Sequence, residues 1–227
     1  MTLLALTTFV LLPPGAGAAG NKAPSRGSLL QKIGKQGCIV DRSTPKQGCA
    51  TARAIKGPGP FMGSRAIALS PDGRNVYVAS SDSNAIAIFR RHATTGNLSQ
   101  PKGQAGCISL KGSYGCARAI GLKGPNSLAI SASGQYLYAT SRDSSSVTAF
   151  RRSSTGALKQ LAAGRGCISQ LAVPGCETGR ALTGADVVTI SPDGRNVYVG
   201  SFFGNAVAVF NRDKENKSSA VHLQLIP

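Results

Sequence analysis

The 227-residue chain has no Trp, only two His and only nine acidic residues. Two His as far apart as His92 and His222 exclude a multi-histidine metal site within one chain. The acids include just Glu177 and Glu215 as glutamates, and no Asp or Glu pair is placed for general acid–base work. A Gly-x-Ser-x-Gly elbow is missing, and the Gly-rich stretches lack the spacing of a phosphate loop. SerAspSerAsn at 81–84 and ArgAspSerSer at 142–145 fall short of the acid density that calcium requires. No metal and no cofactor is therefore expected. No apolar run reaches the roughly 20 residues needed to cross a bilayer, so no transmembrane span is expected. Charged residues make up 15% and hydrophobic ones 41%, which is too few charges for a disordered polyelectrolyte and enough apolar surface for a core.

What is present begins with a short apolar leader. MTLLALTTFVLL is followed by PPGAGAAG, and Ala16-Gly17-Ala18 fits a small-x-small cleavage site, so residues 1–18 read as a signal peptide. No basic residue precedes the apolar run. The six cysteines fall in three close pairs: Cys38 with Cys49, Cys107 with Cys116, and Cys167 with Cys176. An even count, a recurring GlyCysIle…GlyCys frame and a leader point to three local disulfides and an extracytoplasmic or cell-envelope location. Zinc would want two to four residues between paired cysteines, and the intervals here are longer.

The chain is a repeat. RAIALSPDGRNVYVASSDSNAIAIF (Arg65 to Phe89), NSLAISASGQYLYATSRDSSSVTAF (Asn126 to Phe150) and DVVTISPDGRNVYVGSFFGNAVAVF (Asp186 to Phe210) align without gaps. Each reads as three short strands separated by a Pro-Asp-Gly-type turn and a polar turn, with a fourth, poorer strand near Leu98 or Leu158. Ile67 and Leu69 alternate with Ala66 and Ala68, and Val207 and Val209 with Ala206 and Ala208. Apolar residues at both phases of a strand mean a sheet covered on both faces. Radial stacking of such sheets is a β-propeller. The fold expected is all-β and propeller-like, with about three four-stranded antiparallel blades in a partial or open propeller. The repeat region spans 27–212, in units of about 27–95, 96–155 and 156–212, with a leading outer strand near Leu29. Residues 213–227 form a polar tail with a final outer strand.

SPDGRNVYVAS and SPDGRNVYVGS, each followed by Asn-Ala-(Ile/Val)-Ala-(Ile/Val)-Phe, resemble the lactonase-type seven-bladed β-propeller family, and their ValTyrVal-x-Ser pieces resemble its YVTN-type repeats. A WD40-like reading in the narrow sense lacks its Trp-Asp dipeptide. The resemblance implies a lactone hydrolase of the 6-phosphogluconolactonase type. The His, Arg and Glu sets used by that family's enzymes find no matching motif. Three cores are fewer than the four or so blades that a closed ring needs. A fragment of a longer propeller, an open arc, and two copies self-associating through open blade faces all fit that number.

Two residue sets are candidate ligand contacts. Arg65, Asn126 and Asp186 begin the first strand of each unit, and they are polar but different each time, as channel-lining residues would be. Arg53, Arg118 and Arg180 recur in Arg-Ala-(Ile/Leu) segments after each second cysteine, where guanidinium groups could converge on an anion. The net charge is +17, and Arg90-Arg91, Arg151-Arg152 and Asn211-Arg212 recur as a basic edge that an anionic polymer would fit. No aromatic platform accompanies it, so no nucleic acid is expected as a partner. The residues alone favour a secreted or cell-surface binding or interaction module without catalytic residues, for an unidentified ligand or protein. The lactonase-like hydrolase is the alternative, and anionic-polymer binding the third reading.

Overall fold

The computed structural model describes residues 29–45, 48–58, 66–162, 166–212 and 223–225. Residues Ile33–Pro227 form one compact unit. The signal segment 1–18, Arg65, His222 and most of the tail lie outside the described residues. Residues 29–32, where a leading outer strand is expected, form no strand.

The first cysteine pair holds β1 (Ile39–Asp41) parallel to β2 (Ala50–Ala52). The first blade follows as an antiparallel run of β3 (Ile67–Leu69), β4 (Asn75–Ser80) and β5 (Ala85–Arg91). Its fourth position is split. β6 (Leu98–Ser99) pairs with the end of β5, while β7 (Cys107–Leu110) pairs with its start, and β8 (Ala117–Ala119) lies parallel to β7. The second blade repeats the plan with β9 (Pro125–Ile130), β10 (Tyr136–Ser141), β11 (Ser146–Arg152), β12 (Leu158–Gln160), β13 (Cys167–Ser169) and β14 (Glu177–Thr178). The third is a four-stranded sheet of β15 (Ala185–Ile190), β16 (Asn196–Ser201), β17 (Ala206–Arg212) and β18 (Leu223–Leu225). The inner strand β9 lies against both β3 and β15, so the sheets stack side by side. This is an all-β, open, partial propeller.

Local chemistry sets each turn. Gly73 takes φ +68° at the end of Ser-Pro-Asp-Gly, where the Ser70 hydroxyl donates to Asp72 and the Arg74 N–H reaches the same carboxylate. Only glycine adopts that φ without strain. A short strand at each first cysteine (β1, β7, β13) pairs in parallel with one just after the second cysteine (β2, β8, β14), while the described residues between them stay turn and loop, as read from sequence, and the cysteines close them. They bond as Cys38–Cys49, Cys107–Cys116 and Cys167–Cys176. The Ser- and Gly-rich composition of these segments hides strands of only two to four residues.

Two apolar layers hold the blades together. Between the first and second blades, Tyr77, Ile86 and Ile88 meet Leu128, Leu137 and Phe150. Between the second and third, Tyr138, Val147 and Ala149 meet Val188, Val197 and Phe210. Both faces of the middle blade are thus covered. The outer blades are not: Ile67 is 65% and Val207 65% exposed.

Each layer is closed at one rim by an arginine. Arg152 of the second blade donates from Nε to the Tyr77 hydroxyl of the first (2.9 Å), and from Nη2 to Asp72 (2.7 Å) and Asn75 (2.7 Å). Arg212 of the third blade donates to the Tyr138 hydroxyl (2.8 Å) and to the Gly194 carbonyl (2.8 Å). Burial, against the opposing pull of Arg152, pushes the Tyr77 hydroxyl up to about 12, so it stays protonated and donates to the Gly156 carbonyl (2.8 Å). Burial alone would raise the Asp72 carboxyl. Hydrogen bonds from Ser70, Arg152 and the Arg74 N–H outweigh it and hold that group at about 2.

The folded value of Asp72 lies below the roughly 3.9 of an unfolded Asp. Its stabilisation is therefore present above about pH 4 and lost as pH falls toward 2. With the side chain 39% exposed, solvent screening limits the ion pair to about 1 kcal/mol or less. Asp72→Asn is expected to lower the neutral-pH melting temperature by roughly 2–4 °C. The gap to the parent should close in melts taken progressively nearer pH 2. A gap independent of pH would show that the carboxylate charge contributes nothing.

Candidate functional site

At the rim opposite the arginine clamps, left-handed Gly124 and Gly184 lead directly into β9 and β15, and Gly57 takes the same conformation ahead of the first blade. The carbonyls of Gly57, Gly124 and Gly184 accept the N–H groups of Ser81 (2.9 Å), Arg142 (3.0 Å) and Phe202 (3.0 Å). In the second and third blades the polar turn between the second and third strands is thereby tied to the start of the first strand, and in the first blade it is tied to Gly57. This brings residues 142–145 and 202–205 beside the strand-entry positions, and 81–84 beside Gly57.

Asn126 and Asp186, on adjacent inner strands, are in contact. The Asn126 amide donates to Asp186 Oδ1 at 2.6 Å, and the buried Thr140 hydroxyl donates to Asn126 Oδ1 at 3.1 Å. Arg142 Nη2 donates to the same Asp186 oxygen at 3.2 Å. Asn126 is fully buried with its amide engaged at both ends, so it orients Asp186 and does not itself reach solvent. Asp186 and Arg142 are part-buried, with 19% and 22% of their side chains exposed. Arg142 also lines a polar cleft of about 270 Å³ between the first and second blades, with Asp82, Asn84, Lys123 and Asp143. A carboxylate and a guanidinium side by side can accept and donate to vicinal hydroxyls, or polarise a carbonyl while orienting a water.

Arg142 was not singled out from sequence as a ligand contact. Its signal is that the structurally equivalent positions Ser81, Arg142 and Phe202 differ in every unit, as do the strand-entry residues.

Arg53, Arg118 and Arg180 do not hold one repeated structural position. Arg53 donates to the carbonyls of Pro101 (3.2 Å) and Gly103 and lies against Cys107 Sγ, so it fastens the loop before β7. The left-handed residues Ala54, Gly121 and Ala181 fix the true register between units. By that register Arg53 corresponds to Ile120 and Arg180, while Arg118 lies two residues earlier, exposed on β8. At the junction, Gln100 pairs with the Arg53 backbone and Gln160 with the Ile120 backbone, each through both N–H and C=O. A Cβ at Gly121 would run into Cys167 Sγ, which accounts for glycine there. The basic edge also divides. Arg90 and Arg151 are exposed, whereas Arg152 and Arg212 turn inward as clamps.

Residues 54–108 match the family described as lactonase, 7-bladed beta-propeller. The match is confined to that segment. It covers the first blade from its left-handed Ala54 to the start of β7. A protein from Lactobacillus plantarum is similar to this chain at 24% identity with a TM-score of 0.53, covering 76% of this chain and 44% of its own. A candidate 6-phosphogluconolactonase from Bacteroides uniformis is similar at 21% identity with a TM-score of 0.51, covering 80% and 48% respectively. These likenesses show the fold. The chain spans less than half the length of either protein. No curated protein matches the chain significantly. The three disulfides fit an extracytoplasmic compartment. Among the described residues, no helix is long and apolar enough to cross a membrane, and no group of three or more His, Cys, Asp or Glu could hold a metal.

Proposed function

We propose that this chain supplies three blades of an exported lactonase-type propeller, with 1–18 as its signal peptide and 27–212 as its repeat region. Its ligand is a small, hydroxyl-rich lactone bound at the Asp186–Arg142 rim. The observation that carries this reading is the part-exposed Asp186 carboxylate, held by buried Asn126 and paired with Arg142, in a chain whose first blade matches the lactonase family. In ring opening, Arg142 would polarise the lactone carbonyl, and Asp186 Oδ2 would orient or deprotonate the attacking water. Arg65, at the equivalent strand-entry position of the first blade, is a further candidate contact.

A non-enzymatic binding module is the second reading. It is favoured because Asp186 Oδ1 already accepts from two donors, which leaves only Oδ2 to act on a water. Anionic-polymer binding is weakened by the inward turn of Arg152 and Arg212.

Base uptake by glucono-δ-lactone solutions, followed at slightly acid pH where spontaneous opening is slow, separates the readings. Turnover that falls by at least about 100-fold in Asp186→Asn, with the fold intact, supports hydrolysis. Saturable binding without turnover supports the module. Turnover unchanged by Asp186→Asn and Arg142→Ala would reject this site.

A further inference from the structure

The two ends of the blade stack carry complementary halves of the junction found twice inside it. At each internal junction, an outer disulfide-linked strand pairs with the start of the third strand of the blade before it. Ser109, Ile108 and Cys107 face Ala85, Ile86 and Ala87, and Ser169, Ile168 and Cys167 face Ser146, Val147 and Thr148. β1 has the same GlyCysIle frame and is already docked on the first blade, where Ile39 packs against the cluster of Ala52, Ala87 and Phe89. Among the described residues β1 pairs only with β2. Among the described residues, Ala206–Ala208 of β17 pair only with β16, β18 reaching just Phe210–Arg212. Among the described residues, one strand is thus without a blade and one blade without that strand.

The faces match in the same way. Beside β1 lies an apolar groove of about 470 Å³ lined by Ile39, Ile55, Ile67, Val78 and Phe89, where the inner strands of a preceding blade would sit. The third blade exposes Val187 and Val207, which flank Gly200 of β16, with half-buried Tyr198 two residues before that glycine on the same strand. Tyr198 occupies the position of Tyr77 and Tyr138, and Arg91 occupies that of Arg152 and Arg212. Neither forms the Tyr–Arg clamp: Arg91 donates only to the Gly73 carbonyl among the described residues.

We propose that two copies of this chain join head to tail. The third blade of each fills the groove on the first blade of the other. β1 adds to the partner's β17 with Val40, Ile39 and Cys38 opposite the partner's Ala206, the partner's Val207 and the partner's Ala208. Arg91 clamps the partner's Tyr198. The occupant is a second copy because strand frame, apolar face and clamp all continue the internal interface, and one chain holds both halves. Exposed strand edges pair readily with such a complement. Two such junctions close a ring, as heterologous contacts do when the rotation returns on itself.

Sedimentation velocity on the full-length folded chain at micromolar concentration is expected to show a dimer. Ile67→Arg and Val207→Arg place a charge on opposite halves of the junction, at positions already exposed in the monomer. Each should weaken association by at least about 100-fold. An equimolar mixture of the two retains one intact junction, so it should associate at least about 10-fold more tightly than either variant alone. A parent that is monomeric with its three disulfides formed would overturn the proposal. So would a dimer indifferent to both substitutions, or open higher assemblies in place of a closed pair. A mixture no tighter than its components would reveal a face pairing with its own kind, which also overturns it.

Discussion

Replacing Arg152 with Leu is expected to destabilise the fold by about 2–4 kcal/mol, lowering the melting temperature by roughly 5–15 °C. The side chain is only 7% exposed, and its guanidinium joins two blades through Tyr77, Asp72 and Asn75 while reaching the Gly134 carbonyl of its own blade. Leu would fill part of the space but would leave the buried Asn75 amide oxygen without that donor. The figure stays below that of a stranded buried charge, because Asp72 is open enough to be rehydrated. Tyr77→Phe loses one donated and one accepted hydrogen bond and should cost about 1–2 kcal/mol. Arg151→Leu, one residue away and exposed, should stay within about 0.5 kcal/mol. Calorimetric melts of the three variants check this ordering. Equal effects of Arg151→Leu and Arg152→Leu would mean that net charge, and not the clamp, is what matters.

The Arg151-Arg152 contrast shows what the sequence could and could not disclose. Side chains alternate along a strand, so adjacent arginines at its end must take opposite faces. One of each basic pair was therefore bound to turn inward, and a reading of the pairs as one basic edge overlooks that period. The blades themselves were legible because the same period recurs three times between turn residues. The register of Arg53, Arg118 and Arg180 was not, since the chain runs four residues from Cys49 to Arg53 and from Cys176 to Arg180 but only two from Cys116 to Arg118. Left-handed residues, which set that register, include two alanines that carry no turn signal. The contact of Asn126 with Asp186 follows from equal alignment positions on neighbouring inner strands. The part played by Arg142 does not follow from alignment, because it depends on the turn after β10 folding back beside the entry to β9.

Removing the Cys107–Cys116 disulfide as a double Cys→Ala variant is expected to cost about 3–4 kcal/mol, more than removing Cys38–Cys49. Chain entropy for loops this short accounts for roughly 2–3 kcal/mol in either case. The difference comes from packing. Cys107 and Cys116 are both buried against Ala54 and Ala85, so truncating them also opens a small void. Cys38 is only part-buried, and its loop borders the groove beside β1. Access should follow the same order. Thiolate attack needs an approach to sulfur, so Cys38–Cys49 should be reduced first under native conditions, Cys167–Cys176 next through its part-buried Cys176, and Cys107–Cys116 last. The three entropic terms sum to roughly 6–9 kcal/mol, which is comparable with the whole stability of an ordinary domain. Complete reduction should therefore unfold the chain at neutral pH without denaturant. Timed alkylation with peptide mapping gives the order, and circular dichroism gives the collapse. A fully reduced chain that keeps its β signal would show that the blade layers hold without their staples.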